Sequence, residues 1–304
     1  MSMRHLLAVA AVATAALWTP LAANAQTADT LARLKATGVV TMGVRESSGV
    51  LSYGLGAGQY GGYHVDICRH IIANAEKAIG RALELRYLPV SSQNRVDMVK
   101  NGTVDLECGS TTNTLARQKD VAFAPTTYVE EVRLAVRANA GIASIKNLGG
   151  KVVATTRGST SVQTLRRQAR AHGVEFTEVF GNDHADSFLL LESGRADAFL
   201  MDGQILATHI ANAKSPADFK VVGEALNVEP IAIMFQKDDA AFKKLADDTI
   251  RGLQTSGELE KIYDKWFVQA IPPKNIRLGL QASDSTKAAW TGLNDKPMED
   301  YAKK

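Results

Sequence analysis

Neither sign of charge is in large excess in this sequence of 304 residues, and runs of basic residues are absent. Lysine and arginine number 35 and aspartate and glutamate 32, which gives a formal net charge of +3 at pH 7. Binding to nucleic acid draws on clustered basic side chains, often with aromatic residues between them. We therefore expect no nucleic-acid partner.

Motifs for metal ions, nucleotides and covalent catalysis are scarce as well. The sequence has no Cys-x-x-Cys, no pair of histidines at helical spacing, no Gly-x-Ser-x-Gly and no persuasive Ser-His-Asp set. Gly56-x-Gly58-x-x-Gly61 matches the dinucleotide fingerprint, but no acidic residue ends the next strand, and glycines this dense are typical of a hairpin turn. We expect no metal ion, no cofactor and no enzyme activity.

Long apolar runs are confined to residues 1–25. Arg4 and His5 precede the short apolar stretch Leu6–Trp18, and Ala23-Asn24-Ala25 is a small-x-small cleavage sequence. This pattern is that of a secretory signal peptide, because the apolar stretch is too short to span a bilayer. We expect cleavage near Ala25/Gln26 and a mature protein that is soluble and exported.

Export bears on the two cysteines, Cys68 and Cys108. In an oxidising compartment their even count allows one disulfide, and the alternative is two buried thiols. Cys68 falls on a helix predicted over Val65–Ile79, and Cys108 falls at a strand end in the same part of the chain. We favour the bridge.

One stretch, Asp105–Asp120, gathers groups that recognise an anion. A short strand ends near Leu106, Gly109 turns the chain, and Ser110–Thr112 place three hydroxyl groups before a short helix that carries Arg117. Arginine binds a carboxylate as a bidentate fork, and helix N-termini favour anions. For this stretch alone, the alternative is a capped loop with a solvated arginine.

Two further arginines follow predicted strands. Arg45 stands just past the strand Val39–Val44, and Ser92 and Arg95 stand at a strand-to-helix corner after Leu83–Leu88. Ligand sites in α/β sheets gather at the carboxyl ends of strands. For each residue alone, a helix cap or a surface arginine is the alternative.

The second half of the chain repeats the plan of the first. A helix end, a glycine and a strand interrupted by aspartate occur at Gly102 to Asp105 and again at Gly194 to Asp197. Two α/β lobes of similar plan explain this echo, although helix-glycine-strand connections are common.

Polar groups also stand where strands of the second lobe end. Thr160 lies in a helix start after the strand Lys151–Thr156, and His184 begins another helix with Asp183 as its natural N-cap. Asp202 ends a third strand. For His184, a surface histidine is the alternative.

Two extended segments, Ala122–Val136 and Val228–Gln236, flank the second lobe and are the candidate crossings between lobes. Helices over Ala240–Thr255 and Glu258–Phe267 and a tail from Ile271 then return to the first lobe. The sequence thus predicts an α/β clamshell with a cleft at the strand ends. Its predicted parts are a signal peptide over 1–25, a discontinuous first lobe over 26–131 and 235–304, and a second lobe inserted over 132–234.

A series of short motifs supports this reading. In chain order they are Gly43-Val-Arg45-Glu-Ser-Ser48, Ser92-Gln-Asn-Arg95, Glu107-Cys-Gly-Ser-Thr-Thr-Asn113 with Arg117-Gln118, Asp183-His-x-Asp-Ser-Phe188, Leu191-Glu-Ser-Gly-Arg195, Met201-Asp202, Asp247-Asp-Thr-Ile250, Thr255-Ser-Gly257, Asp264-Lys-Trp-Phe267 and Ile271-Pro-Pro-Lys-Asn275. Together they resemble the periplasmic amino-acid-binding proteins of ABC importers (solute-binding protein family 3), most of all those for glutamate and aspartate. The resemblance implies a type II periplasmic-binding-protein fold with two hinge strands. It departs from the family at Val50-Leu51-Ser52-Tyr53, where a Pro-Phe pair is common, so the apolar wall of the cleft is not carried over.

The resemblance also implies a role for each candidate residue. Arg117 grips the ligand α-carboxylate with Thr112 and the helix start around Thr160, Asp202 and Ser110 accept the α-ammonium, and Arg45, Ser92, Arg95 and His184 surround a side-chain carboxylate. Three fixed cations then face one acid, which favours two carboxylates and one ammonium and disfavours an amide. The charge of His184 is expected to depend on pH.

The function expected from this resemblance is binding of L-glutamate or L-aspartate by hinge closure and delivery to a membrane permease, by a monomer. Two alternatives stay open at this point. One is an enzyme on the same fold, similar to periplasmic dehydratases, with His184 or Glu107 as a general acid. The other is a ligand-sensing partner of a receptor.

Overall fold

The computed structural model describes residues 29–301, so the predicted signal peptide and its cleavage site lie outside the described residues. The strands are β1 (Val39–Val44), β2 (Tyr53–Gly56), β3 (Gln59–Gly61), β4 (Glu84–Pro89), β5 (Leu106–Glu107), β6 (Val121–Phe123), β7 (Tyr128–Arg137), β8 (Val152–Thr156), β9 (Thr177–Gly181), β10 (Ala198–Asp202), β11 (Phe219–Ile231), β12 (Met234–Gln236), β13 (Ala270–Ile271) and β14 (Ile276–Arg277). The α-helices are α1 (Thr30–Thr37), α2 (Tyr63–Ile79), α3 (Arg95–Lys100), α4 (Thr160–His172), α5 (His184–Glu192), α6 (Gly203–Asn212), α7 (Ala240–Thr255), α8 (Glu258–Tyr263), α9 (Asp284–Gly292) and α10 (Met298–Tyr301).

Two five-stranded sheets form the cores of two lobes. The first has the order β4-β1-β5-β12-β6, and the second has the order β11-β7-β10-β8-β9. In each sheet the strands next to helices run parallel, and strands from the crossing segments pair antiparallel to them. Parallel strands bury both faces under helices, which explains their apolar sequences. The predicted pair of α/β lobes is confirmed.

Within residues 29–301 the chain crosses between the lobes twice. Strands β7 and β11 pair from Tyr128 opposite Ile231 to Arg137 opposite Phe219 and belong to the second sheet. The strands β6 and β12, which adjoin them in sequence, pair with each other in the first sheet. Both predicted extended segments therefore contain the end of one sheet and the start of the other. The exact lobe boundaries stay a prediction.

The predicted disulfide is present between Cys68 and Cys108. It joins the buried face of α2 to the residue that follows β5, and both sulfur-bearing side chains are fully buried. Because Cys108 immediately precedes the Gly109 turn, the bridge ties that turn to the largest helix of the first lobe.

The glycine-rich segment forms a hairpin of β2 and β3, as predicted from its turn residues. The segment around Arg117 differs in detail from its prediction, since it is a single turn of 3-10 helix over Arg117–Lys119. The hydroxyl of Thr114 accepts a hydrogen bond from the Arg117 backbone N–H at 3.2 Å.

The tail after Ile271 packs against the hinge strands. Helix α9 lies on β7, where the indole N–H of Trp290 donates to the Thr127 carbonyl at 2.7 Å. The Thr126 backbone N–H donates to the Asn294 carbonyl at 2.9 Å. The tail thus packs on the first lobe and on both crossings. Within residues 29–301, no helix has the length and apolar character that a bilayer span requires.

Candidate ligand-binding site

The nine candidate residues lie at the interface between the lobes, at or just beyond the carboxyl ends of strands. The first lobe contributes Arg45, Ser92, Arg95, Ser110, Thr112 and Arg117, and the second contributes Thr160, His184 and Asp202. Strand ends meet at one edge of each sheet, and the crossings turn the two edges toward each other. This placement agrees with the prediction from sequence.

The lobes touch across the site. The Thr112 and Thr160 hydroxyl oxygens lie 3.4 Å apart, and an Nη2–H of Arg117 donates to the Gly158 carbonyl at 3.3 Å. Gly158 has φ +75, and a Cβ there would lie 2.7 Å from the Ser92 carbonyl group. Only glycine fits this turn at this separation, so the structure is the closed form of the clamshell.

Arg45 is the most deeply buried cation of the site, with 0% of its surface exposed. Its Nη2 atom contacts the Ser92 hydroxyl at 3.0 Å, Asp183 Oδ1 at 2.8 Å and His184 Nε2 at 3.3 Å. Its Nε and Nη1 atoms are buried and find no hydrogen-bond partner in the part of the chain that the structure describes. The N–H groups of Nε and Nη1 are therefore available to bind a ligand.

Arg95 is a second buried guanidinium, with 2% of its surface exposed. Its Nε and Nη1 atoms are also buried without a partner among residues 29–301. Burial lowers the pKa of Arg95, and the neighbouring cations Arg117 and Arg45 lower it further. Two adjacent guanidiniums with unused donors are costly in a dry interior, because unpaired buried charges lose their hydration.

Arg117 is held by backbone oxygen atoms. Its Nη1 donates to the Thr112 carbonyl at 2.7 Å, and its Nη2 reaches Gly158 in the other lobe. Burial lowers its pKa, and Glu229 and Glu107 oppose that effect. Carbonyl groups orient the guanidinium without neutralising it, so its charge is available to an anion in the cleft.

Asp202 is buried at the end of β10, where its backbone pairs with β7, and its carboxylate has no hydrogen-bond partner among residues 29–301. Burial and the nearby carboxylate of Glu229 raise its pKa to about 8, although Arg95, Arg45 and Arg117 oppose the shift. The ligand-free site therefore holds a proton on Asp202 at neutral pH. An ammonium group beside it would favour the ionised form.

His184 carries no charge in this site. Burial and the Arg45 cation hold its pKa well below the ordinary value. Because arginine can only donate, Nε2 of His184 must accept from Arg45, and its Nδ1–H donates to the Thr156 hydroxyl at 3.0 Å. We therefore expect His184 to stay uncharged near neutral pH, and its observed contact is to Arg45.

Comparison with known proteins identifies the family of the chain. The model of the bacterial extracellular solute-binding proteins, family 3, matches residues 40–269. The chain belongs to this family. The glutamate/aspartate import solute-binding protein of Escherichia coli (strain K12) is 41% identical over 271 residues, 89% of this chain and 90% of that protein. The L-glutamate/L-aspartate-binding protein of Pseudomonas aeruginosa is 40% identical over 291 residues, 95% of this chain and 96% of that protein.

A solved structure supports the fold. The solute receptor for L-cysteine of Neisseria gonorrhoeae matches with a TM-score of 0.69 at 24% identity, over 78% of this chain and 93% of that chain. The predicted two-lobed periplasmic-binding-protein fold is confirmed. Because the family consists of solute-binding proteins, the prediction of a binding protein instead of an enzyme is confirmed as well.

The prediction that Asp202 is the one acid facing the three arginines of the site is wrong for this binding protein. Besides Asp202, the buried carboxylates of Glu107, Glu130 and Glu229 lie at or beside the cleft, and Asp183 pairs with Arg45. Burial and Asp202 raise the pKa of Glu130 well above its ordinary value. Glu130 and Glu229 are paired across the two hinge strands β7 and β11. The residues around each of them in the sequence do not indicate that these acids are buried.

Glu229 changes the roles open to two threonines. Its Oε2 atom accepts from the Thr112 hydroxyl at 2.6 Å and from the Thr160 hydroxyl at 2.7 Å. Each hydroxyl has one hydrogen, so both hydrogens are used inside the protein. Their oxygen atoms can still accept, which suits an ammonium. The Thr112 hydroxyl is therefore bonded to Glu229 in this structure, and its help to Arg117 in holding a carboxylate stays a prediction.

Asp183 does not cap its helix. The Asp183 side chain makes no capping hydrogen bond at the start of α5 and instead reaches Arg45 and Ser47 of the first lobe. Local sequence could not show this, because an aspartate before a helix is a favourable N-cap in any fold.

The departure at residues 50–53 contributes to the hydrophobic core of the first lobe. Val50 and Leu51 are fully buried in a short 3-10 helix over Gly49–Leu51. The Val50 backbone N–H donates to the Gln204 side-chain oxygen of the second lobe at 3.1 Å. Aliphatic side chains therefore occupy the region where the family commonly has a Pro-Phe pair.

Proposed function

We propose that this binding protein captures L-glutamate or L-aspartate by closing its two lobes. One observation carries the proposal: two buried guanidiniums, Arg45 and Arg95, each leave two nitrogen atoms without a partner in the described chain. A carboxylate is the group that matches such donors, because it accepts several N–H bonds and neutralises the charge. The site is then saturated only when an acid occupies it.

The remaining groups supply the zwitterion contacts. Arg117 and the start of α4 at Thr160 bind the α-carboxylate, since both lie at the same lobe contact and a helix N-terminus favours an anion. Asp202 and Ser110 accept the α-ammonium. Arg45, Ser92 and Arg95 bind the side-chain carboxylate, and His184 keeps Arg45 in place.

This arrangement discriminates against an amide. Glutamine offers one oxygen acceptor and an NH₂ donor where glutamate offers two anionic oxygens. The donors of Arg45 and Arg95 would then face an N–H group in a closed cleft. A buried donor without a partner costs about 1–3 kcal/mol, and more when it is charged.

The family and the two relatives named for glutamate and aspartate support the biological setting that we propose. The protein is exported by cleavage of the signal peptide near Ala25/Gln26 and works in the periplasm as a monomer. Ligand contacts from both lobes favour the closed form, and an ABC permease in the inner membrane recognises that form.

A thermal-shift panel tests the ligand class. The protein is unfolded, freed of ligand and refolded, and its Tm is then measured with each L-amino acid and with citrate. At a hundredfold excess over Kd, an acidic amino acid should raise Tm by about 5 °C or more, while glutamine, asparagine and citrate should not. A shift with citrate or a sugar and none with glutamate or aspartate would refute the proposal.

Affinity should rise with pH between 6 and 8. Below pH 8 the ligand-free cleft holds a proton on Asp202, which the ligand ammonium must expel. The Kd for an acidic amino acid should therefore fall by up to about tenfold per pH unit in this window. Calorimetry at pH 7 in buffers of different ionisation enthalpy should show release of close to one proton.

The raised pKa of Asp202 also makes the stability of the protein depend on pH. The folded protein keeps this proton up to about pH 8, whereas an unfolded aspartic acid loses it near its ordinary value. The free energy of unfolding of the ligand-free protein should therefore decrease as pH rises from 6 to 8.

A Kd that stays constant from pH 6 to 8, with no dependence of the binding enthalpy on the buffer, would contradict the role of Asp202 in binding.

A further inference from the structure

Asp183 belongs to the second lobe, yet its carboxylate finds its side-chain partners in the first. Oδ1 lies 2.8 Å from Nη2 of Arg45, and Oδ2 accepts from the Ser47 hydroxyl at 2.7 Å. Burial would raise the pKa of Asp183, but Arg45 and the groups around it lower the pKa to about 2. Both carboxylate oxygens are thus engaged across the cleft in ionised form.

Ser47 extends this contact to two helices of the second lobe. Its hydroxyl oxygen accepts from the Ala185 backbone N–H of α5 at 3.2 Å, and its carbonyl lies 3.2 Å from Nε2 of His209 on α6. The segment from Arg45 to Ser47 is therefore joined to the second lobe by side-chain and backbone groups of this chain. None of these bonds requires a ligand.

The contact with Asp183 also gives the nitrogen atoms of the Arg45 guanidinium different surroundings. Asp183, Ser92 and His184 all meet the Nη2 atom, while Nε and Nη1 are left without a partner in residues 29–301. A guanidinium is planar, so fixing one nitrogen from the second lobe fixes the direction of the others. Asp183 also neutralises part of the charge that a ligand carboxylate would meet.

We propose that Asp183 is a positioning residue that latches the closed lobes through Arg45 and Ser47 and reserves Nε and Nη1 of Arg45 for the ligand. The latch itself is independent of ligand identity. The second part, which concerns selectivity, rests on the proposed function. Asp183 then lowers the preference for an acid over its amide, because it competes with the ligand for Arg45.

The latch is tested without ligand. Spin labels at Q59C and N212C, exposed positions on the β3 hairpin and at the end of α6, report the separation of the lobes, since both native cysteines are held in the disulfide. Asp183→Ala and Ser47→Ala should each lower the closed fraction by about tenfold relative to the parent protein. Asp186→Asn, an exposed acid on the same helix, is the matched control and should leave the distances unchanged.

The selectivity part is tested by calorimetry with L-glutamate and L-glutamine. Asp183→Ala should weaken binding of both ligands and raise the glutamate-to-glutamine affinity ratio by about threefold or more. Asp183→Asn should raise the ratio in the same direction, because it removes the charge and keeps the shape. A structural lesion alone would weaken both ligands equally.

Two results would overturn the proposal. A parent protein without a measurable closed fraction, or an Asp183→Ala protein with unchanged lobe distances, would refute the latch. An unchanged or lower affinity ratio would refute the competition for Arg45. If the parent protein binds no acidic amino acid, the proposed function fails, while the distance measurement still decides the latch.

Discussion

Arg117→Ala is expected to abolish amino-acid binding. Arg117 is the cation at the contact between the Thr112 loop and Gly158, and its two bonded partners are uncharged carbonyl groups. Every amino acid carries the α-carboxylate that this guanidinium is proposed to bind. Arg117 is half-buried here, and a ligand in the closed cleft would bury the charge pair. Loss of one partner of such a pair costs about 2–5 kcal/mol, so we expect Kd to rise by about a thousandfold for glutamate and aspartate alike.

Calorimetry and the thermal-shift panel measure this change. Arg251→Ala removes an exposed arginine of α7 and is the matched control, with an expected Kd equal to that of the parent protein. Arg117→Lys keeps the charge but loses the bidentate fork, so its Kd should lie between those of the parent protein and Arg117→Ala. Binding by Arg117→Ala within about tenfold of the parent would remove Arg117 from the α-carboxylate site.

Arg45→Ala should act mainly on the choice between an acid and its amide. The mutation removes two buried donor atoms that lack a partner in the described chain and leaves the α-carboxylate and ammonium contacts in place. Glutamate should lose about a hundredfold in affinity, and glutamine much less. The ratio of the two affinities should therefore fall to about ten or below.

Two comparisons make this result specific. Arg95→Ala should erode the same ratio, because Arg95 offers the same pair of unused donors. Arg117→Ala should weaken both ligands together. Equal losses for glutamate and glutamine in Arg45→Ala would show that Arg45 serves lobe closure alone and does not meet the ligand side chain.

Much of the fold could be predicted because local signals and tertiary structure agree. Gly80 ends α2 in the left-handed conformation, and the apolar stretch Val39–Val44 is a strand of the first sheet. The arginines at strand ends could be found from the same reading, because the carboxyl edge of an α/β sheet is a general place for ligand groups.

The acids of the cleft could not be found in this way. Glu130 and Glu229 occupy strand positions where an acid normally faces solvent, and they are buried only because two distant segments pair at the hinge. Asp183 looked like a helix cap, and its pairing with Arg45 depends on lobe closure. The charge of His184 depends on Arg45, which is remote from it in sequence. Contacts between segments decided each of these cases.

The most direct test of the account is the ratio of the dissociation constants for L-glutamine and L-glutamate, or L-aspartate if that acid binds more tightly. It is measured by calorimetry on the ligand-stripped protein at pH 8. The buried guanidiniums of Arg45 and Arg95, each with two nitrogen atoms that lack a partner in the described chain, predict a ratio of at least about a hundred, on the order of 3 kcal/mol. Comparable affinities for the acid and the amide would contradict the claim that these cations select a second carboxylate.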